Sequence, residues 1–232
     1  MRFGHMDPMQ RRTALLSLAA LLAAPSALAQ TDELRPRTPA ASGSDPVDLG
    51  GPDRDQTLAR ANASLNALQR LQGRFTQTSP SRSVSTGAFY LQRPGKVRFE
   101  YDPPATLLII CDGSVVSMRN SAMRTTDRTP LRSTPLNLIL RSQIDLARDS
   151  RVTRVARWGE WTLISAVDRT GQVDGRITLF FFGDNFELRC WDVVDVTGSR
   201  TRVMLSEVTQ PASLDPALFR LDDIVSRGHG RN

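Results

Sequence analysis

The sequence predicts an α+β chain that is mostly β: one strongly curved antiparallel sheet with amphipathic helices over its concave apolar face. Three observations carry this. From about residue 74 onward, apolar residues recur at every second position in short runs, the spacing of half-buried strands. Pro94-Gly95, Asp112-Gly113, Trp158-Gly159-Glu160 and Thr197-Gly198 punctuate those runs as hairpin turns. Two other segments carry apolar residues at helical spacing instead. One sheet and two amphipathic helices must bury their faces on each other.

The first residues read as a targeting segment. Arg11-Arg12 precede an apolar run from Ala14 to Ala24, and Ala27-Leu28-Ala29 supplies a small-residue cleavage site. We therefore expect a signal peptide over residues 1–29, cleaved after Ala29, and a periplasmic protein. Met9 serves equally well as the start. The run is shorter than the roughly 20 apolar residues that span a bilayer. The paired arginines leave a twin-arginine export route open beside the general one. Residues 30–54 hold Pro36, Pro39, Pro46 and Pro52 with few large apolar side chains. Such a stretch cannot offset its ordering entropy and is expected as a disordered tether. Residues 55–225 suit one domain, with a disordered tail over 226–232.

Asp55 is placed to cap a helix over Gln56–Leu71, with Leu58, Ala61, Leu65, Leu68 and Leu71 along one stripe. Strands are expected at Arg74–Ser79, Val84–Arg93, Val97–Tyr101, Leu107–Cys111 and Val115–Asn120. A second set follows at Arg151–Arg157, Trp161–Asp168, Arg176–Phe182, Glu187–Val196 and Arg200–Thr209. Between the sets, Thr134 caps and Pro135 starts a short helix whose apolar face is Leu136, Ile139 and Leu140.

Arg93 is the misfit in this pattern. It follows Phe89 and Leu91 on one strand face, and the next strand presents Val97, Phe99 and Tyr101 on one face. A three-residue loop that pairs Arg93 with Val97 brings the two apolar stripes together, and register follows the apolar pattern. The guanidinium then stands at the edge of an apolar surface, where it must find acceptors or water.

Composition excludes several classes. The net charge is +6, and about +4 once Arg2, Arg11, Arg12 and Asp7 leave with residues 1–29. Its arginines are scattered opposite apolar residues rather than gathered in a basic face with aromatics, so no nucleic-acid partner is expected. No metal-ligand cluster or cofactor motif appears. The two histidines, His5 and His229, flank the domain, which removes histidine-based acid–base chemistry. Ser117 and Ser133 have no base beside them, so no enzyme is expected. Cys111 and Cys190 either pair in an oxidising compartment or serve as two small buried hydrophobes.

Phe75-Thr76-Gln77, Gly87 through Pro94, Gly95-Lys96-Val97-Arg98-Phe99-Glu100-Tyr101, Asp112-Gly113, Thr134-Pro135-Leu136 and Leu218-Phe219-Arg220-Leu221 together resemble the periplasmic outer-membrane lipoprotein carrier family, LolA. The resemblance runs in order from about residue 56 to 222. It implies an incomplete antiparallel barrel with helices covering an apolar cavity. It also implies a monomeric carrier of acylated lipoproteins, loaded by an inner-membrane releasing transporter and unloading to an outer-membrane receptor or the outer membrane itself. Acyl chains need a dry cavity, since each buried methylene favours it by about 0.8 kcal/mol. Phe89, Leu91, Val97, Phe99 and Tyr101 are the candidate wall; Leu65, Leu68, Leu136, Ile139 and Leu140 are the candidate cover. The same side chains suit an ordinary filled core, although a filled core has no use for Arg93. In the family, the arginine matching Arg93 latches the covering helices shut. The segment between the two strand sets and the Trp158–Trp161 turn depart from any clear family signature. A membrane-anchored receptor of this fold would need a cysteine after the leader, where Gln30 stands. An exported lipid-sensing or lipid-binding regulatory domain on the same scaffold is the alternative.

Overall fold

The computed structural model describes residues 45–171 and 173–221. The expected signal peptide with its cleavage site, residues 30–44 of the tether and the tail 226–232 lie outside the described residues. Strands of the first set are β1 (Val47–Asp48), β2 (Arg70–Thr78), β3 (Val84–Gln92), β4 (Lys96–Tyr101), β5 (Leu107–Asp112), β6 (Val115–Asn120) and β7 (Thr125–Pro130). The second set is β8 (Arg151–Trp158), β9 (Trp161–Val167), β10 (Arg176–Phe182), β11 (Glu187–Val194) and β12 (Arg200–Thr209). Helices are α1 (Gly51–Ala67), α2 (Leu136–Leu140) and α3 (Leu146–Asp149).

All strands belong to one antiparallel sheet in the order β1-β8-β9-β10-β11-β12-β2-β3-β4-β5-β6-β7. β2 to β7 and β8 to β12 are each a meander, the β12–β2 pair joins them, and β1 adds to the outer side of β8. β1 and β7 remain edges, so the barrel is incomplete. The chain between β7 and β8 carries α2 and α3 across the face that α1 also covers. Leu58, Ala61 and Leu65 of α1, Ile139 and Leu140 of α2 and Leu146 of α3 share one core with Phe75, Phe89, Phe99, Ile164, Leu179, Phe181 and Leu205 of the sheet. Fully burying one such large side chain favours folding by roughly 1.5–3 kcal/mol. Phe75 meets Phe99 and Tyr101 edge-on, at 5.1 and 5.0 Å between ring centroids. Gly87 makes room for that stack: a Cβ there would stand 2.2 Å from the Glu100 carbonyl oxygen and 2.5 Å from the Phe75 ring.

Several boundaries differ from expectation. The first helix starts at Gly51, because Pro52 takes the first turn and Gly50 stands extended before it; Asp55 lies inside the helix rather than at its cap. Residues 45–54, expected within the tether, thus hold β1 and the opening of α1, and Leu49 N–H donates to the Val155 carbonyl at 2.8 Å. The helix ends at Ala67, so Leu71, expected on its stripe, belongs to β2. Thr134 does not cap α2; its buried hydroxyl donates to the Leu131 carbonyl at 2.8 Å and closes the preceding turn. β7, Thr125–Pro130, was not foreseen, since its almost wholly exposed polar residues carry no alternation.

Cys111 and Cys190 are both buried free thiols. Cys111 lies in the core beneath the helices, whereas Cys190 packs with Leu163, Phe180 and Met204 on the outer face of the sheet. Burial pushes the Cys190 thiol up to about 12.

Candidate functional site

The site is built around the turn between β3 and β4. Leu91 pairs with Val97 and Gln92 with Lys96, so the three-residue loop is Arg93-Pro94-Gly95. The expected loop length is right, but Arg93 is a loop residue and does not pair with Val97. A shift of two leaves every side chain on its face, so Phe89 pairs with Phe99 where the expected register would set it opposite Tyr101, and the two apolar stripes still meet.

This turn holds both covering helices. Arg93 Nη1 donates to the carbonyl oxygen of Leu65, in the last turn of α1. The backbone N–H of Gly95 donates to the carbonyl of Leu140, the last residue of α2, at 2.8 Å. The Arg93 N–H itself donates to the Gln69 carbonyl at 2.9 Å. Gly95 has φ +75°, and a Cβ there would lie 2.7 Å from the Gly113 Cα, so glycine alone fits this close approach.

Arg93 is only 7% exposed. Its Nε is buried without a hydrogen-bond partner among the described residues. Desolvation lowers the guanidinium to about 10, which leaves it cationic at neutral pH. A charge in such surroundings is retained at a cost in stability.

Arg93 lines a small apolar cavity of about 20 Å³. A single water needs roughly 10–15 Å³ by this measure, so the covering helices fill most of the space beneath them. Of the candidate wall, Phe89, Leu91, Val97 and Phe99 line the cavity, and of the candidate cover Leu68, Leu136, Ile139 and Leu140 do. Tyr101 and Leu65 do not. The Tyr101 hydroxyl donates to Gln77 Oε1 at 2.7 Å, and burial raises its pKa. The Leu65 side chain is fully buried in the core, and its carbonyl is what reaches the site.

Sequence reasoning missed Leu71, Leu188, Trp191 and Leu205, which complete the lining. Leu71 and Leu205 lie on β2 and β12, the strands that join the two meanders. A β-bulge hides the other two. Phe180 pairs with Cys190 but Phe181 with Leu188, which leaves Arg189 as the extra residue. Leu188 and Trp191, three apart, therefore face the same side, where strict alternation would separate them. The Leu188…Trp191…Val193 spacing in an otherwise alternating run was the available signal.

α1 is fastened along its length. Asn66 Oδ1 accepts from the Ile144 N–H and Asn66 Nδ2 donates to the Ile144 carbonyl, both at 2.8 Å. Asn62 Oδ1 accepts from the Leu146 N–H at 3.0 Å. On the other side, Ser64 Oγ donates to the Phe186 carbonyl at 2.5 Å, and the Arg60 guanidinium lies 4.2 Å over the Phe186 ring. For α2 the corresponding tie to the sheet is the Gly95–Leu140 bond. Among the described residues, no group of His, Cys, Asp or Glu side chains converges to hold a metal ion.

A family model described as "Outer membrane lipoprotein carrier protein LolA" matches residues 66–222. The chain belongs to the LolA family. The matched residues span β2 to β12 with α2 and α3, and reach only the last turn of α1. Curated LolA relatives named outer-membrane lipoprotein carrier protein agree at modest identity. That of Chromobacterium violaceum is 25% identical over 179 residues, covering 74% of this chain and 85% of the relative. That of Nitrosomonas europaea is 27% identical over 165 residues, covering 67% and 80%. Among solved structures, the LolA superfamily protein NE2245 from Nitrosomonas europaea superposes with a TM-score of 0.42 at 10% identity, over 71% of this chain and 98% of that one. MucB superposes at 0.43 and 16%, over 74% and 64%.

Proposed function

We propose that this LolA-family protein is a periplasmic carrier. It takes the acyl chains of lipoproteins into the cavity beneath α1 and α2, receives them from an inner-membrane releasing transporter and hands them on toward the outer membrane. One observation carries the reading: a buried arginine stands on the wall of an apolar cavity and its guanidinium is hydrogen-bonded to the helix that covers it.

The physical logic is that of a marginal closure. A hydrogen bond from a charged donor contributes about 1.5–3 kcal/mol net. Each acyl methylene transferred from water to an apolar site gains about 0.8 kcal/mol. A few methylenes therefore outweigh the Arg93–Leu65 bond, and the chains open the cover by binding. When the cargo leaves, the exposed apolar walls of Phe89, Leu91, Val97 and Phe99 re-close under Leu68, Leu136, Ile139 and Leu140. Arg93 finds Leu65 again, which biases the cycle toward release.

Arg93→Leu keeps an apolar contact and removes every donor. Apparent affinity is reduced by the fraction of protein in the open form, so loss of a closing bond raises it. Lipoprotein bound at equilibrium should increase in the variant, while its rate of handover to acceptor membranes falls. Unchanged binding and unchanged handover would make Arg93 a structural turn residue and remove the latch from this account.

A further inference from the structure

The unpartnered Nε of Arg93 raises a question that the closed form leaves open. In the closed form one guanidinium nitrogen, Nη1, is satisfied by Leu65, while Nε is buried against an otherwise apolar lining without an acceptor. If acyl chains displace α1, the Leu65 carbonyl goes with it. The guanidinium would then face hydrocarbon with several donors unpaired, a state far costlier than the closed one. The cargo itself must supply the replacement acceptor.

We propose that Arg93 is a specificity-determining residue that donates to the carbonyl oxygen joining the acyl chain to its head, so that the site selects acyl esters and amides over plain alkyl chains. This rests on the carrier reading and adds a chemical requirement to it. The position suits the task. Arg93 lies in the turn at one end of the cavity, with Leu91 and Val97 as the first cross-strand pair and Phe89 and Phe99 as the next inward. Strand residues rise about 3.3 Å each, so Phe89 lies on the order of 13 Å from Arg93 along β3. Once the cover has moved, an amphiphile lies with its carbonyl at the turn and its tail running along these pairs toward Phe89 and Phe99. Arg93 thereby exchanges one carbonyl for another, Leu65 when empty and the ligand when loaded; the ligand bond offsets only part of the Leu65 bond, so the latch still favours the empty form and Arg93→Leu still raises lipoprotein affinity. No bond is made or broken covalently, and the guanidinium stays charged throughout.

Ether oxygens are poor acceptors compared with carbonyls; replacing each C=O by CH2 keeps the chain length and adds apolar area, so hydrophobic burial alone would favour the ether and a preference for the ester reports its carbonyl. The test is competition of a diacylglycerol and its dialkyl ether analogue of equal chain length against a fluorescent fatty acid bound to the full protein. Wild type should prefer the diester by about tenfold or more, as one bond to a charged donor implies. In Arg93→Leu the two should compete alike, the ether gaining more than the ester from loss of the latch. Arg93→Lys, which keeps a donor, should retain part of the preference. Equal competition by ester and ether in wild type would overturn the proposal while leaving the carrier reading intact. Competition by neither lipid would overturn both.

Discussion

At the scale of the residue, the β3–β4 turn concentrates the constraints. Arg93 was legible as a fixed charge on an apolar stripe, because a guanidinium has no place in a filled core. Its exact pairing was not legible: two registers of the same parity place the side chains on the same faces, and alternation cannot separate them. What decides between them is Gly95, whose N–H must reach Leu140 while its Cα passes Gly113. Gly95→Ala brings a Cβ to 2.7 Å from the Gly113 Cα and 2.8 Å from its carbonyl oxygen, at φ +75°. Both neighbours are backbone and cannot swing aside. We expect a loss of at least about 1–3 kcal/mol in urea unfolding. Gly113→Ala, at φ +117° but with nothing within 4 Å of its Cβ, is the control. It carries conformational strain without the collision, so Gly95→Ala should be the more destabilised of the two. Equal losses would show that the approach of the two turns is not tight.

At the scale of the element, the strands were read more reliably than the cover. Period-two alternation with glycine turns marks β2 to β6 and β8 to β12 to within a few residues. The helix ends escaped because their signals are local: Pro52 fixes the start of α1, and Leu71 suits the helical stripe and the strand equally well. The bulge at Arg189 and the exposed edge β7 break the alternation that the other strands keep. The fastening of α1 to residues 144–146 was invisible in the sequence, since asparagines on a helix usually face water. Asn66 satisfies both the N–H and the carbonyl of Ile144. Asn66→Ala strands two backbone groups, at about 1–3 kcal/mol for burial without partners. The melting temperature should fall by several degrees, as roughly 2–4 °C per kcal/mol applies to a domain of this size. Amide hydrogen exchange at Ile144 and Leu146 should rise with it. A variant that melts like wild type with unchanged exchange would mean that the Asn66 bonds contribute nothing and that Asn62 and apolar packing hold α1 to residues 144–146.

At the scale of the whole molecule, the two meanders meet at β12–β2 and leave β1 and β7 as edges, so the sheet curves around its helices without closing on itself. A closed barrel would fix the volume inside. An open one lets the covering helices separate from the wall while the sheet hydrogen bonds persist. In the closed form the space is almost filled, with about 20 Å³ remaining. On the proposed carrier reading the cavity of the loaded form is made by moving the cover, so the same side chains serve as core when it is shut and as ligand wall when it opens. The tryptophans offer a direct probe. Trp191 lines the cavity and is 5% exposed, whereas Trp158 and Trp161 pack against the Leu163–Phe180 cluster on the other face. These are the three tryptophans of the chain, so a Trp158→Phe, Trp161→Phe background leaves Trp191 alone. Bromine quenches indole fluorescence only at contact. Lipoprotein carrying brominated acyl chains, bound to saturation, should quench Trp191 strongly relative to the same cargo without bromine. Bound cargo that leaves Trp191 unquenched would place the acyl chains elsewhere and contradict the account.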